Sequence, residues 1–274
     1  MSVAEAGTAI RPRRRGAWAR LFASELGLVF GRRRNQIGLA VLAGLVVMLG
    51  VALKASSLRH PGERGGDLMS AVAGNGVYLG FAGLTIEIAL FLPLALSVLA
   101  GDAIAGEANL GTLRYLLVAP VGRLRLLAAK AASLVVGAIT GALLVSVAGV
   151  LVGALLFGSG PLVTLSGSRI GVDQGLLRLV LATLYVAAGL SALGMIGLFV
   201  STLTEQPIAA TVATAMLSTV LWILDAVPQL DWLHPWLLVD RWPAFVDLLR
   251  EPVFADRMVA GLWVDAAYAA VFFG

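Results

Sequence analysis

Six apolar runs organise the chain, at residues 37–53, 77–100, 131–157, 176–200, 207–226 and 258–274. A bilayer core about 30 Å thick takes a helix of roughly 20 mostly apolar residues. Each run therefore predicts a membrane span, although the first and last hold only 17 residues. The last run is still apolar at Gly274, so a continuation of the chain is expected there. Barrel strands would alternate over segments of about ten residues, and no such alternation occurs. The pattern predicts an all-α polytopic membrane protein with six transmembrane helices over residues 37–274.

The chain before the first run divides in two. Residues 1–16, rich in Arg, Ala and Gly, read as a disordered basic tail, and residues 17–36 as an amphipathic interfacial helix. Trp18, Leu21, Phe22, Leu26, Val29 and Phe30 share one helical face, with Arg20 and Ser24 opposite, which suits a helix lying on the inner leaflet. Glu25 interrupts that apolar face. A slide helix that only anchors the first span is the plainer reading. Arg32, Arg33 and Arg34 then stop the chain at the lipid headgroups.

Composition excludes most other classes. The chain is 59% hydrophobic and 13% charged, with a mean hydropathy of +0.93. Soluble domains run about 45–50% apolar and about 25% charged. The absence of cysteine removes thiolate nucleophiles, iron–sulfur clusters and Cys-based zinc sites. Only His60 and His234 supply imidazole, so no metal centre is expected, and His234 reads as a solvated interfacial residue. The net charge of +4 lies between apolar runs, which points to a membrane surface and away from nucleic acid. Residues 1–36 and 101–130 together hold 12 of the 20 basic residues. The other eight share their side with Glu63, Asp67, Asp173, Asp231, Asp240, Asp247, Glu251 and Asp256. Both termini are therefore expected in the cytoplasm. Eighteen arginines against two lysines, with abundant Ala and Gly, suggest a GC-rich bacterial genome and hence a bacterial plasma membrane.

Motifs for chemistry are missing. Lys54 and Lys130 stand in no phosphate-cradling glycine loop, and neither a His-Glu-x-x-His nor a Gly-x-Ser-x-Gly pattern occurs. A conduit fits better than an enzyme. The informative segment is the connection 101–130 between the second and third spans. Positions 103–118 have helical character, with Leu110, Leu113, Leu116 and Leu117 as an apolar stripe. Glu107 and Arg114 are the charges expected to pair with a partner, and Pro120 with Gly122 turns the chain. The stripe is too short to cross a bilayer and needs another surface to bury against.

Asp102, Ile104, Ala105, Gly106, Glu107, Gly111, Thr112, Leu113, Leu116, Leu117, Pro120, Val121, Arg123 and Lys130 form a string that resembles the coupling-helix signature of ABC type-2 transporter permeases, the type V exporter fold. The stretch from Ala23 to Leu26, followed by the three arginines, is similar to that family's amphipathic N-terminal helix. The resemblance covers nearly the whole chain and implies half of a transporter. A second permease copy, most simply as a homodimer, would pair with it in the lipid. A separate ABC ATPase subunit would dock below and carry ATP and Mg, leaving no cofactor in this chain. Glu107, Leu110, Leu113, Arg114, Leu116 and Leu117 would then couple to the ATPase. ATP-driven export of an amphipathic or lipid-like molecule is the implied activity. In such permeases the connection between the last two spans forms re-entrant helices over the exit. Here that is the gate loop 227–257, with Trp236, Asp240, Arg241 and Trp242 as candidates and an aromatic belt as the plainer reading. A basic cytoplasmic tail, usual in the family, does not follow the last run by Gly274.

Glu87 lies mid-span, where an acid costs about 2.5–3.5 kcal/mol on insertion scales, so it is expected to face the bundle interior. It is either a wall of the translocation path or a protonated acid bonded to a neighbouring hydroxyl. Pro93 predicts a kink in the same span. Asp225 and Asp265 read as interfacial. Gly137, Gly141, Gly149 and Gly153 predict close helix approach, more simply within the subunit than across a dimer. Two other functions compete: an ion- or proton-coupled carrier using Glu87, and a membrane assembly protein that recruits a partner without transport.

Overall fold

The computed structural model describes residues 17–59, 75–111, 122–158, 160 and 162–273. The chain runs through α1 (Ala17–Gly31), α2 (Arg33–Arg59), α3 (Val77–Glu87), α4 (Phe91–Ala103), α5 (Ala105–Asn109) and α6 (Arg123–Phe157). A short antiparallel hairpin follows, β1 (Leu162–Val163) with β2 (Arg169–Ile170). Then come α7 (Val172–Thr202), α8 (Pro207–Asp225), 3-10 segments at Pro228–Leu230, His234–Trp236 and Trp242–Leu249, and α9 (Asp256–Phe273). The architecture is an all-α membrane bundle. The basic tail at residues 1–16 lies outside the described residues.

The six apolar runs differ in how far they form single spanning helices. Among the described residues α2, α6, α7 and α8 are each long and apolar enough to cross a membrane. The run at 77–100 is a bent pair, with α3 and α4 set at 59°, and counts as a fifth span if taken as one. The final run forms α9, whose 18 residues include Asp256, Arg257 and Asp265 and fall short of the apolarity of the others. The kink expected at Pro93 falls one turn earlier, at residues 88–90. An unbroken helix would leave the Ala89 carbonyl without the N–H that Pro93 lacks. The break instead puts Pro93 in the first turn of α4, where no intrahelical donor is required.

The helix at the centre is α7. Its apolar window is 72% buried, against 17% for α2 and for α8 on the periphery. It packs against α6, α9, α4, α8 and the Trp242–Leu249 segment. Eight consecutive residues of α3, from Val77 to Leu84, are buried, as a helix apolar all round requires. The α3–α6 crossing is built on glycine: a Cβ at Gly149 would reach within 2.7 Å of the Gly80 nitrogen, and one at Gly153 would collide with the Gly76 carbonyl. Gly137 and Gly141 face Leu99 and Leu92. All four glycines of α6 therefore serve packing within the subunit.

Two faces of the bundle differ in content. The basal face carries α1, α5, the start of α6 and the ends of α7 and α9. The distal face carries the hairpin and the 3-10 segments. There Leu165 donates its N–H to the Leu249 carbonyl (2.9 Å) and Arg178 Nη1 donates to the Leu248 carbonyl (2.9 Å).

Candidate functional site

The basal face holds the densest arrangement of charge. Lys130, at the start of the third turn of α6, is only 2% exposed. Its Nζ donates to Glu107 Oε1 (2.7 Å) and to Glu25 Oε2 (3.2 Å). One cation thus lies between two buried carboxylates that approach from α5 and from α1. Burial pushes the Glu25 carboxyl above its ordinary 4.5; Lys130 opposes that rise and the Glu107 charge adds to it. The acid that interrupts the apolar face of α1 is therefore the residue that faces Lys130. Trp18 and Phe22 stack on each other at 5.2 Å between centroids, with Trp18 half-exposed, as an interfacial helix requires.

A second cluster lies beside the first. Asp102 near the end of α4 accepts from Arg32 Nη1 (2.5 Å), in the turn between α1 and α2, and from Arg34 Nη2 in the first turn of α2. The backbone breaks at Ile104, and Ser201 from the end of α7 repairs the corner. Its Oγ accepts the N–H of Ile104 (3.1 Å) and of Ala105 (2.9 Å), and donates to the Gly101 carbonyl (3.0 Å). Gly101 itself allows close approach: a Cβ there would overlap Thr211 Oγ1 and come within 2.9 Å of the Pro207 carbonyl on α8. Five elements (α1, α4, α5, α6 and α7) thus meet in one polar block.

This corrects two expectations. Among the described residues the helix predicted over 103–118 is interrupted at Ile104 and runs again over Ala105–Asn109, with Gly111 at φ +69°; residues 112–118 lie outside them. Glu107, expected as an exposed charge for a partner, is buried against Lys130. The amphipathic reading put every charge on the solvent side and missed an internal cation 23 residues away. Leu110 is 68% exposed, as the stripe predicts. Leu113, Arg114, Leu116 and Leu117 lie outside the described residues.

Glu87 ends α3 at the bend. It is buried, and among the described residues neither carboxylate oxygen has a hydrogen-bond partner. The neighbouring hydroxyl of Thr85 donates to the Phe81 carbonyl in its own helix (2.8 Å), so it does not serve Glu87.

On the distal face the expected re-entrant helices are 3-10 turns, and the candidates separate. Trp242 is buried, its indole lying on Gly189 of α7, whereas Trp236 is exposed. Tyr185 donates its hydroxyl to the Arg241 carbonyl (2.7 Å), and Arg241 Nε lies 3.6 Å from Asp240 Oδ2. Asp225, His234 and Asp240 bring ligand-type atoms within 4.8 Å of one another, and the His234 ring bonds the Val227 carbonyl, so His234 is less solvated than expected. Asp265, expected at the interface, is buried between α7 and α9 because the apolar remainder of α9 faces outward.

The fold is that of a polytopic membrane protein, a bundle of apolar helices with a polar block at one face. A family model described as ABC-2 family transporter protein matches residues 31–221, well over half of the chain. The chain belongs to the ABC-2 transporter family and is a permease of an ABC transporter, a system completed by a partner ATPase. No curated protein matches it. The matched stretch takes in Arg32, Asp102, Glu107, Lys130 and Ser201 of the basal block, and Glu25 lies just before it.

Proposed function

We propose that this chain is the membrane half of an ATP-driven exporter that carries an amphipathic or lipid-like molecule outward across a bacterial plasma membrane. Two copies pair, and a separate ATPase docks on the basal face, which lies in the cytoplasm. The supporting observation is the block around Lys130. It ties the interfacial helix, the α4–α5 corner and the base of α6 to α7, and its exposed tip is Leu110. Glu107 acts through Lys130 as a positioning residue, while Leu110 and the stripe of Leu113, Leu116 and Leu117 make the contact, with Arg114 at its rim. Burying several leucines contributes about 1.5–3 kcal/mol each before the cost of association. Glu87 forms a wall of the path at the bend, and Asp240, Arg241, Trp236 and Trp242 shape the distal gate.

The test is copurification of the ATPase with the tagged permease, combined with ATP-dependent transport in proteoliposomes. Leu110→Asp and Leu113→Asp should each reduce ATPase recovery at least tenfold while the permease still inserts. Wild-type recovery and transport by both variants would refute the docking assignment. Labelling of Thr112→Cys in intact cells by an impermeant thiol reagent would refute the orientation, and the cysteine-free chain makes that readout clean. Transport driven by a pH gradient without any ATPase, and abolished in Glu87→Gln, would favour the carrier reading instead.

A further inference from the structure

A groove of about 580 Å³ lies between α6, α7 and α9. That volume is within the range of small-molecule sites, about 300–1,000 Å³. Its walls are mostly small: Ala131 and Ala132 from α6, Ala188 and Ala192 from α7, Ala266 and Ala269 from α9. Small side chains on three adjacent helices would normally let the helices close on each other. Here they leave a concavity that begins next to Lys130 of the basal block and rises along α9 to Asp265.

Asp265 is the feature that points to a ligand. The helix α9 buries only Gly261 and Asp265. Gly261 is accounted for, since a Cβ there would strike the Tyr185 hydroxyl. Asp265 is only 5% exposed, lines the groove, and leaves Oδ2 without a hydrogen-bond partner among the described residues. The Trp242 indole N–H lies beside the carboxyl as a neutral donor, which answers its charge only in part. Arg241 and Arg257, the cations that act on neighbouring Tyr185, pair with Asp240 and Asp247. A carboxylate turned inward among alanines, with no ion pair among the described residues, is costly unless something completes it.

We infer that this groove binds the transported molecule and that its occupant is a hydrophobic cation, with Asp265 as counter-ion and the alanine walls taking the apolar body. The inference rests on the exporter reading and names its substrate class. A lipid chain would fill the walls but leave Asp265 unanswered, and an anion would be repelled by it. The mouth of the groove adjoins Lys130 through Ala131, the next residue of α6, so a change in the basal block reaches the bound molecule across one peptide unit.

The test uses the full-length permease in phosphatidylcholine nanodiscs without ATPase, so that it stands apart from the docking question. Equilibrium binding of tetraphenylphosphonium is compared with binding of neutral triphenylphosphine oxide and anionic tetraphenylborate. Wild type should bind the cation at least tenfold more tightly than either. Asp265→Asn, of equal size, should weaken the cation about 30-fold, as loss of one partner of a desolvated charge pair does, and leave the neutral probe unchanged. Ala192→Leu should weaken both the cation and the neutral probe by filling the groove. Equal binding of the cation by wild type and Asp265→Asn would overturn the inference, as would a wild type that does not distinguish cation from neutral probe. If Asp265→Asn assembles poorly, the Ala192→Leu result and the wild-type charge preference still decide. Efficient disulfide cross-linking of Ala269→Cys between two copies would show the groove to be a subunit contact and would overturn it as well. Failure here with intact ATPase recovery and transport leaves the exporter reading standing. Loss of ATPase recovery with intact cation selectivity does the reverse.

Discussion

Acids at the base of the bundle are matched, and acids within it are not. Glu25 and Glu107 share Lys130, and Asp102 holds Arg32 and Arg34. Glu87 and Asp265, buried to the same degree, have carboxylate oxygens with no donor among the described residues. Both regions carry the desolvation cost of a buried carboxylate. Among the described residues, the basal region offsets it with ion pairs and the two interior acids have none. The difference separates two uses of buried charge: one fixes the relative positions of helices, and the other leaves a polar group available to something that passes through.

Lys130→Met should break that contrast most severely. It leaves Glu25 and Glu107 buried together with no cation between them, and losing one member of a buried charged cluster costs about 3–5 kcal/mol. Thermal unfolding of the purified permease should report a large drop in Tm, and membrane abundance should fall. A variant as stable as wild type would show that the cluster does not hold the fold.

Glu25→Gln should cost less, about 1 kcal/mol, because Glu107 still answers Lys130. Its effect on pH dependence is the sharper readout. A carboxyl whose folded pKa is raised binds more protons folded than unfolded. Its contribution is most favourable below the ordinary 4.5 and is lost as pH rises from there through the raised value. Wild type should therefore lose stability over that window, and Glu25→Gln should flatten the slope. An unchanged slope in the variant would place the titration elsewhere.

Asp102→Asn should cost still less, within about 1 kcal/mol, because Arg32 and Arg34 are partly exposed and solvent screens the pairs. High salt should erase the difference between variant and wild type. The smallest effect belongs to Glu87→Gln, which removes no ion pair. Its unfolding midpoint should match wild type within about 0.5 kcal/mol while its transport changes. A large loss of stability there would place Glu87 among the matched acids, through a partner beyond the described residues.

The helical class was legible because runs of apolar residues report burial in lipid directly. What they do not report is continuity. Residues 77–100 are apolar on both sides of the 88–90 break, so hydropathy reads one span where the chain makes two helices. Pro93 was the available signal, but it marks the start of the second helix. Glu25 was conspicuous as an acid on an apolar face, and Lys130 as part of a motif, yet their pairing spans 105 residues and no periodicity encodes it. Glu107 misled because a five-residue helix closed by Gly111 has no solvent face of the kind that amphipathic reading assumes. Ser201 gave no signal at all: one hydroxyl at the end of an apolar run is chemically ordinary until a broken backbone is placed against it. Asp265 was assigned to the interface because it lies in the outer half of its run, and the packing of α9 turns it inward.

Ser201 also has a mechanical consequence. It lies one residue from the end of α7, a helix of 31 residues and hence roughly 45 Å long at about 1.5 Å per residue. Tyr185 lies on the same helix about 24 Å away by the same spacing and holds the Arg241 carbonyl at the opposite face. A straight hydrogen-bonded rod hardly shortens under load, so a push on the corner at Gly101 is delivered at Arg241 with little attenuation. In engineering terms α7 is a pushrod with one hydroxyl joint at its basal end and a second near its middle, beyond which Arg178 adds a grip on the Leu248 carbonyl. Ser201→Ala would disconnect one end and leave the rod intact, and pulsed spin-label distances between the two faces would then vary independently of the state of the basal corner.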